Sequence, residues 1–185
     1  MVVQIKLVVF TLGIIGIAWV SRSSLRDYCS HGFYRTFAWV AILALLLVNI
    51  DFWFARPFSP NQLLSWAFLL ASLFLVVPGF RLLRSSGRPS EEREDAALVG
   101  MEKTTTLVTT GIYHYIRHPL YSSLLFLTWG VFFKHPSWIG ITLAVLASVL
   151  LTTTARIEEW ENIRFFGQAY KDYMKETRMF LPFLF

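Results

Sequence analysis

Residues 119–155 read PLYSSLLFLTWGVFFKHPSWIGITLAVLASVLLTTTA. Two apolar runs, Pro119–Phe133 and Ser137–Ala155, are separated only by the polar residues KHP. A membrane-spanning helix needs about 20 apolar residues, so the second run is sufficient and the first is short. Because a tight polar turn joins the two runs directly, the pattern predicts a helical hairpin that crosses a membrane.

The composition of the whole chain extends this prediction. Of 185 residues, 55% are hydrophobic and only 16% are charged, against about 25% charged in ordinary soluble domains. The mean hydropathy is +0.52. A soluble core of this size would leave too much apolar surface exposed. The sequence therefore predicts one all-α, polytopic membrane domain over residues 1–185, with about five transmembrane spans.

Three apolar segments precede the hairpin. They are Val2–Val20, Tyr34–Phe54 and Leu63–Phe80. Residues 1–84 are thus predicted to hold three spans, 85–117 to form a loop, and 118–185 to form the catalytic hairpin and a C-terminal helix. Lys6 before an apolar stretch is also compatible with a signal peptide, but no small-x-small cleavage site follows, which favours a retained helix.

The positions of the basic residues predict the orientation. All of the 17 lysines and arginines except Lys6, Arg56 and Lys134 fall on one side of a five-span arrangement. Cytoplasmic loops carry the excess of basic residues, so the N-terminus is predicted outside and the loop 85–117 and the C-terminus in the cytoplasm. The basic residues form no patch with interleaved aromatics, so nucleic acid is not expected as a partner. No retention signal is visible, which favours a bacterial inner membrane over the endoplasmic reticulum.

The C-terminal region carries a helical repeat of large apolar residues. They recur at three- and four-residue steps: Trp160, Ile163, Phe166, Tyr170 and Tyr173. This spacing predicts one amphipathic helix lying at the membrane interface. The final residues, MFLPFLF at 179–185, are predicted to turn back toward lipid.

Ionisable residues stand at both free edges of the hairpin, in RHPLY at 117–121 and in the pair Glu158 and Glu159. The fourth span begins on the side where the fifth ends, so these edges are predicted to lie at the same depth on adjacent helices. His118 and Tyr121 are three residues apart and can share a helix face. Carboxylates at the hydrocarbon edge are costly unless paired, which makes them functional candidates.

A structural interpretation of the same residues is also open. Arg117 and Arg156 lie beside the two hairpin edges and can form interfacial ion pairs with the glutamates. Such pairs would anchor the hairpin without binding any ligand. Spacing alone does not decide between an anchor and a site.

Two longer stretches resemble a known family. They are LVTTGIYHYIRHPLY at 107–121 and EEWENIRFFGQAYKDYMKETRMFLP at 158–182, separated by two spans. Together they resemble the isoprenylcysteine carboxyl methyltransferase family, whose relatives include phospholipid methyltransferases. Membrane sterol reductases, which use NADPH, share a similar C-terminal arrangement.

The resemblance implies S-adenosylmethionine as methyl donor, bound at the cytoplasmic end of the last helices. The cofactor-binding residues that it implies are Thr109, Gly111, Tyr113, Arg117, His118, Tyr121, Glu158 and Glu159. It also implies Arg178, which would orient the acceptor, and Glu159 as catalytic residues. An acceptor carboxylate is already ionised at pH 7 and needs no base, whereas an amine would need a glutamate or His118 to take a proton.

These observations predict an integral membrane, S-adenosylmethionine-dependent methyltransferase that O-methylates the carboxylate of a lipophilic or lipid-modified acceptor. The alternatives are a phospholipid or amine N-methyltransferase, an NADPH-dependent membrane reductase and a non-catalytic membrane protein. The acidic pair disfavours the phosphates of NADPH. No metal is predicted, because Cys29 is the single cysteine and His114 and His118 lack a third ligand.

Overall fold

The structure is a computed structural model that describes residues 2–87 and 105–182. The described residues form six α-helices and contain no strand beyond one isolated bridge between Ile116 and Arg178. The helices are α1 (Val2–Val20), α2 (His31–Asn49), α3 (Pro60–Ser86), α4 (Pro119–Lys134), α5 (Trp138–Phe166) and α6 (Gln168–Glu176). The predicted all-α class is confirmed.

Four helices are long and apolar enough to cross a membrane: α1, α2 with its 3-10 extension, α3 and α5. The fourth predicted span, α4, has 16 residues, which gives it a length of about 24 Å. It lies against both α3 and α5, so the predicted hairpin is present with one arm shorter than the other. The expected five spans therefore appear as four long helices and the shorter α4.

The helices meet at two ends that carry different residues. One end, called the turn end below, holds the end of α2, the start of α3 and the turn between α4 and α5. Lys6 pairs with Asp51 there, and Lys134 Nζ donates to Gln62 Oε1 at 3.0 Å. The opposite end, where α2 and α4 begin and α5 ends, is called the site end below. Lys6, Arg56 and Lys134 are predicted to share one side of the membrane. Two of them, Lys6 and Lys134, lie together at the turn end.

Small residues bring α2 and α5 close together. Ala38 and Ala41 of α2 and Ala147 and Ala155 of α5 are buried in one apolar cluster with Leu151. Small side chains allow membrane helices to approach closely. The contact continues to the site end, because Arg35 lies one turn before Ala38 and Glu158 about one turn after Ala155.

The predicted amphipathic C-terminal helix is shorter than expected. Helix α5 continues to Phe166, and Gly167 then ends it with a φ of +61°, which favours glycine. The amphipathic helix is therefore α6 alone. The predicted apolar face is divided: Trp160 is 72% exposed, whereas Tyr170 and Tyr173 are buried. The expectation of one continuous face from 160 to 173 is wrong because the glycine redirects the chain.

Candidate active site

A cavity of about 280 Å³ lies at the site end of the bundle. Of the predicted cofactor-binding residues, the following line it: Tyr113, Arg117, His118, Tyr121 and Glu158. They come from three separate parts of the chain, namely the segment before α4, α4 itself and α5. The two hairpin edges therefore meet, as span counting predicted.

The segment before α4 is fixed to the C-terminal segment by backbone hydrogen bonds. The N–H of Arg117 donates to the carbonyl of Arg178 at 2.8 Å, and that of His118 to the carbonyl of Met179 at 3.1 Å. The hydroxyl of Ser122 donates to the carbonyl of Phe180 at 2.8 Å. Met179 and Phe180 also pack against the α2–α5 cluster. These residues of the predicted lipid-directed tail contact the protein, and residues 183–185 lie outside the described residues.

Arg117 joins three elements. Its Nε donates to Glu159 Oε1 at 2.6 Å, and its Nη1 donates to the carbonyl of Thr177 at 2.6 Å. The side chains of Arg117 and Glu159 are each only 9% exposed. This buried pair ties the start of α4 to α5 and to the end of α6, as the anchoring interpretation requires. Arg156, by contrast, is exposed.

Glu158 and Glu159 point in different directions, as expected of neighbours on a helix. Glu159 is buried in its pair with Arg117. Glu158 is partly exposed and lines the cavity, together with Asn162 one turn later on α5. The acidic pair thus divides into one anchoring residue and one residue that faces the cavity.

His118 is positioned before α4 without capping it. It occupies the N-cap position, but its side chain makes no capping hydrogen bond. Its ring stacks on Tyr121 with centroids 5.5 Å apart, and both side chains line the cavity. Nε2 lies 3.4 Å from Glu159 Oε1 and has no hydrogen-bond partner among the described residues. A buried nitrogen without a hydrogen bond can bond a ligand, here beside its long contact with Glu159.

Three tyrosines form much of the polar wall of the cavity: Tyr113, Tyr170 and Tyr173. The Tyr173 hydroxyl donates to the carbonyl of Tyr113 at 2.5 Å. Burial raises the pKa of all three phenols, and the negative charge of Glu158 raises the pKa of Tyr113 and Tyr170 further. They are neutral at physiological pH and serve as hydrogen-bonding groups rather than as bases.

Besides the buried Glu159, three residues implied by the resemblance are not among the described residues that line the cavity: Thr109, Gly111 and Arg178. Thr109 is exposed. Gly111 has a φ of +60°, and a Cβ there would lie 2.6 Å from Leu82 Cδ1, so its lack of a side chain permits contact with α3. Arg178 is exposed, and its backbone bonds to the segment before α4.

Sequence reasoning missed several residues of the cavity wall. Arg35 and Trp39 from α2, Asn162 from α5, and Tyr170 and Tyr173 from α6 all line it. Arg35 carried a usable signal, because an arginine beside an apolar run is costly to bury and is a functional candidate by default. The two tyrosines stood in the sequence as part of an interfacial helix face.

Comparisons with known proteins find methyltransferases that are similar to this chain. A family model described as phospholipid methyltransferase matches residues 64–172. The protein-S-isoprenylcysteine O-methyltransferase of Dictyostelium discoideum is 33% identical over 149 residues, which cover 76% of this chain and 60% of that protein. The mouse protein of the same name is 31% identical over 147 residues, 77% of this chain and 51% of that protein.

The chain therefore spans between half and two-thirds of the length of these relatives. No solved structure matches it.

Proposed function

We propose a function from the premise that this chain belongs to the phospholipid methyltransferase family. The chain is an integral membrane methyltransferase that takes the methyl group of S-adenosylmethionine and transfers it to the carboxylate of a lipophilic acceptor. The observation that carries this proposal is the cavity where His118, Tyr121 and Glu158 meet. The names of the two relatives, both protein-S-isoprenylcysteine O-methyltransferases, support a carboxylate acceptor.

The residues around the cavity fit this cofactor. S-adenosylmethionine supplies a methyl group on a positively charged sulfur, and it also carries an ammonium, a carboxylate and two ribose hydroxyls. The Glu158 carboxylate can accept from the ammonium or the hydroxyls, and Asn162 can both donate and accept. The His118 Nε2, which has no hydrogen-bond partner among the described residues, can bond a further polar group. The volume of about 280 Å³ is close to the lower limit of about 300 Å³ for ligand pockets.

The chain's own residues contribute mainly by positioning. The buried Arg117–Glu159 pair fixes the start of α4 relative to α5, and so fixes His118 and Tyr121 relative to Glu158. Holding the acceptor and the methyl donor in a reactive geometry supplies a large share of the catalysis of such a displacement. A carboxylate acceptor is its own nucleophile, so the neutral tyrosines need not remove a proton.

Apolar surface for the acceptor's tail lies next to the polar wall. Trp39, Leu83 and Leu124 line the same cavity and belong to helices that lie in the apolar bundle. We assign the acceptor's carboxylate to the polar part of the cavity and its hydrocarbon tail to this apolar part. A lipid-modified protein or a lipophilic small molecule would then enter from the bilayer, with the site end on the cytoplasmic side.

Amine N-methylation is a second candidate, and the description of the matching family favours it. An ammonium must lose a proton before it can attack, and Glu158 is the carboxylate that lines the cavity. The acceptor therefore distinguishes the two candidates more directly than the cofactor does.

The test is transfer of label from methyl-labelled S-adenosylmethionine by the purified, detergent-solubilised protein. We expect base-labile methyl ester on N-acetyl-S-farnesylcysteine and no label on phosphatidylethanolamine. Label on the amine alone would establish the second candidate. Label on neither acceptor, together with NADPH-dependent reduction of a sterol, would overturn both.

A further inference from the structure

Arg35 is a buried cation that lies before the segment matched by the family model. It lies in the first turns of α2 and is 1% exposed, although the helix around it is apolar. Its guanidinium carbon lies 5.0 Å from the centre of the Trp39 ring. Both residues precede residues 64–172, the segment that the family model matches.

The position of Arg35 places its charge at the cavity. Arg35 and Trp39 line it from α2, whereas Glu158 and Asn162 line it from α5. The cavity thus has a guanidinium on one wall and a carboxylate on another. A ligand with both a negative and a positive group is complementary to such an arrangement.

The other guanidinium at the cavity, that of Arg117, belongs to the buried pair that anchors α4 to α5. Its donors bond Glu159 and the carbonyls of Met174 and Thr177. Arg178, which the family resemblance implied for orienting an acceptor, is exposed. Arg35 is the arginine whose burial and position in the wall suit a carboxylate ligand, and a guanidinium can hold a carboxylate through two parallel bonds.

We propose that Arg35, stacked against Trp39, forms a carboxylate-binding subsite of the cavity. This inference rests on the proposed function. The carboxylate can come from the amino-acid end of the cofactor or from the acceptor, and the chemistry of recognition is the same in both cases.

The experiment uses Arg35→Gln and Arg35→Lys in the full-length, detergent-solubilised chain, with Arg26→Gln as control because Arg26 is an exposed arginine at the same end. Melting curves first establish that each variant folds. S-adenosylhomocysteine and 5′-methylthioadenosine serve as probes, since the second lacks the amino-acid end. Turnover of N-acetyl-S-farnesylcysteine at saturating cofactor reports on the acceptor.

If the cofactor's carboxylate is bound, Arg35→Gln should weaken S-adenosylhomocysteine about 10- to 100-fold and leave 5′-methylthioadenosine unchanged. If the acceptor's carboxylate is bound, both adenosyl probes should bind normally and the KM for the acceptor should rise by a similar factor. Arg35→Lys should lose less affinity in either case, because lysine keeps the positive charge but cannot form the two parallel bonds of a guanidinium.

Should Arg35→Gln fail to fold, Arg35→Lys provides the same test through the ratio of its affinities for the two probes. A folded variant with unchanged affinity for both probes and an unchanged acceptor KM would overturn the subsite alone. Absence of S-adenosylhomocysteine binding by the unmodified chain would instead overturn the proposed function, and the inference with it.

Discussion

At the turn end of the bundle Lys134 donates to Gln62, whereas at the site end Glu158 lines a cavity. The ammonium of Lys134 also lies 3.4 Å from the centre of the Trp66 ring. Gln62 in turn donates to the Lys134 carbonyl at 3.1 Å. Both ends bury polar side chains in an apolar bundle, and at the turn end Lys134 and Gln62 bond one another.

The site end retains polar groups that face a cavity. His118 Nε2 has no hydrogen-bond partner among the described residues, and Glu158 faces the cavity beside the fully paired Glu159. Buried charge by itself therefore does not identify a site in a membrane bundle. Unused bonding capacity beside a cavity does, and substitutions at the two ends should separate stability from binding.

The largest effect is expected for Glu159→Gln. It leaves the Arg117 guanidinium buried without its counter-charge, and breaking a buried pair in this way costs about 3–5 kcal/mol. We expect the free energy of unfolding in detergent to fall by that amount, and ligand affinity to fall with it. A melting temperature equal to that of the unmodified protein would show that the pair does not anchor the hairpin.

A smaller loss of stability is expected for Lys134→Met at the turn end. The substitution removes the contact with the Trp66 ring and leaves Gln62 Oε1 without its donor. Together these changes cost about 3 kcal/mol. Affinity for S-adenosylhomocysteine in the folded fraction should be unchanged. A weakened affinity there would mean that the two ends are coupled, and the comparison would fail.

Glu158→Gln should show the opposite pattern. The side chain is partly exposed and faces the cavity, so the unfolding free energy should change by less than about 0.5 kcal/mol. Affinity for S-adenosylhomocysteine should fall by about 2 kcal/mol through loss of a charge-assisted hydrogen bond. Calorimetry and melting curves of Glu158→Gln and Glu159→Gln, measured side by side, form a matched pair. Equal losses of stability in both would contradict the division of roles.

The smallest effect is expected for His118→Phe. A phenyl ring can keep the stack on Tyr121 while both imidazole nitrogens are removed. No capping bond is lost, because the His118 side chain makes none. The melting temperature without ligand should therefore change little, and the ligand-induced increase should shrink by the equivalent of about 1 kcal/mol. An early melting variant that keeps the full increase would make RHPLY a structural motif.

The meeting of RHPLY with the acidic pair could be predicted because the α4–α5 turn fixes the depth of both hairpin edges. The direction of each glutamate could not be predicted, because it depends on the rotation of α5 against α4. The division between α5 and α6 was visible only as one glycine, Gly167, within a regular apolar spacing. Arg35 reaches the cavity through the packing of α2 on α5, which joins residues far apart in the sequence.

The roles of Arg178 and Gly111 show a different limit. Both belong to the motifs that carry the resemblance, but a motif does not say which of its atoms face a ligand. In the structure, the Arg178 backbone bonds the segment before α4, and Gly111 packs against Leu82. Both therefore contact the segment or helix next to the cavity, and a direct role for either residue in binding stays a prediction.

The central claim is that the site end is an adenosyl cofactor site. Calorimetric titration of the solubilised full-length protein with S-adenosylhomocysteine, and separately with NADPH, tests it most directly. We predict saturable one-to-one binding of S-adenosylhomocysteine that Glu158→Gln weakens and Lys134→Met leaves intact, with no binding of NADPH. Saturable binding of NADPH without binding of S-adenosylhomocysteine would contradict the account.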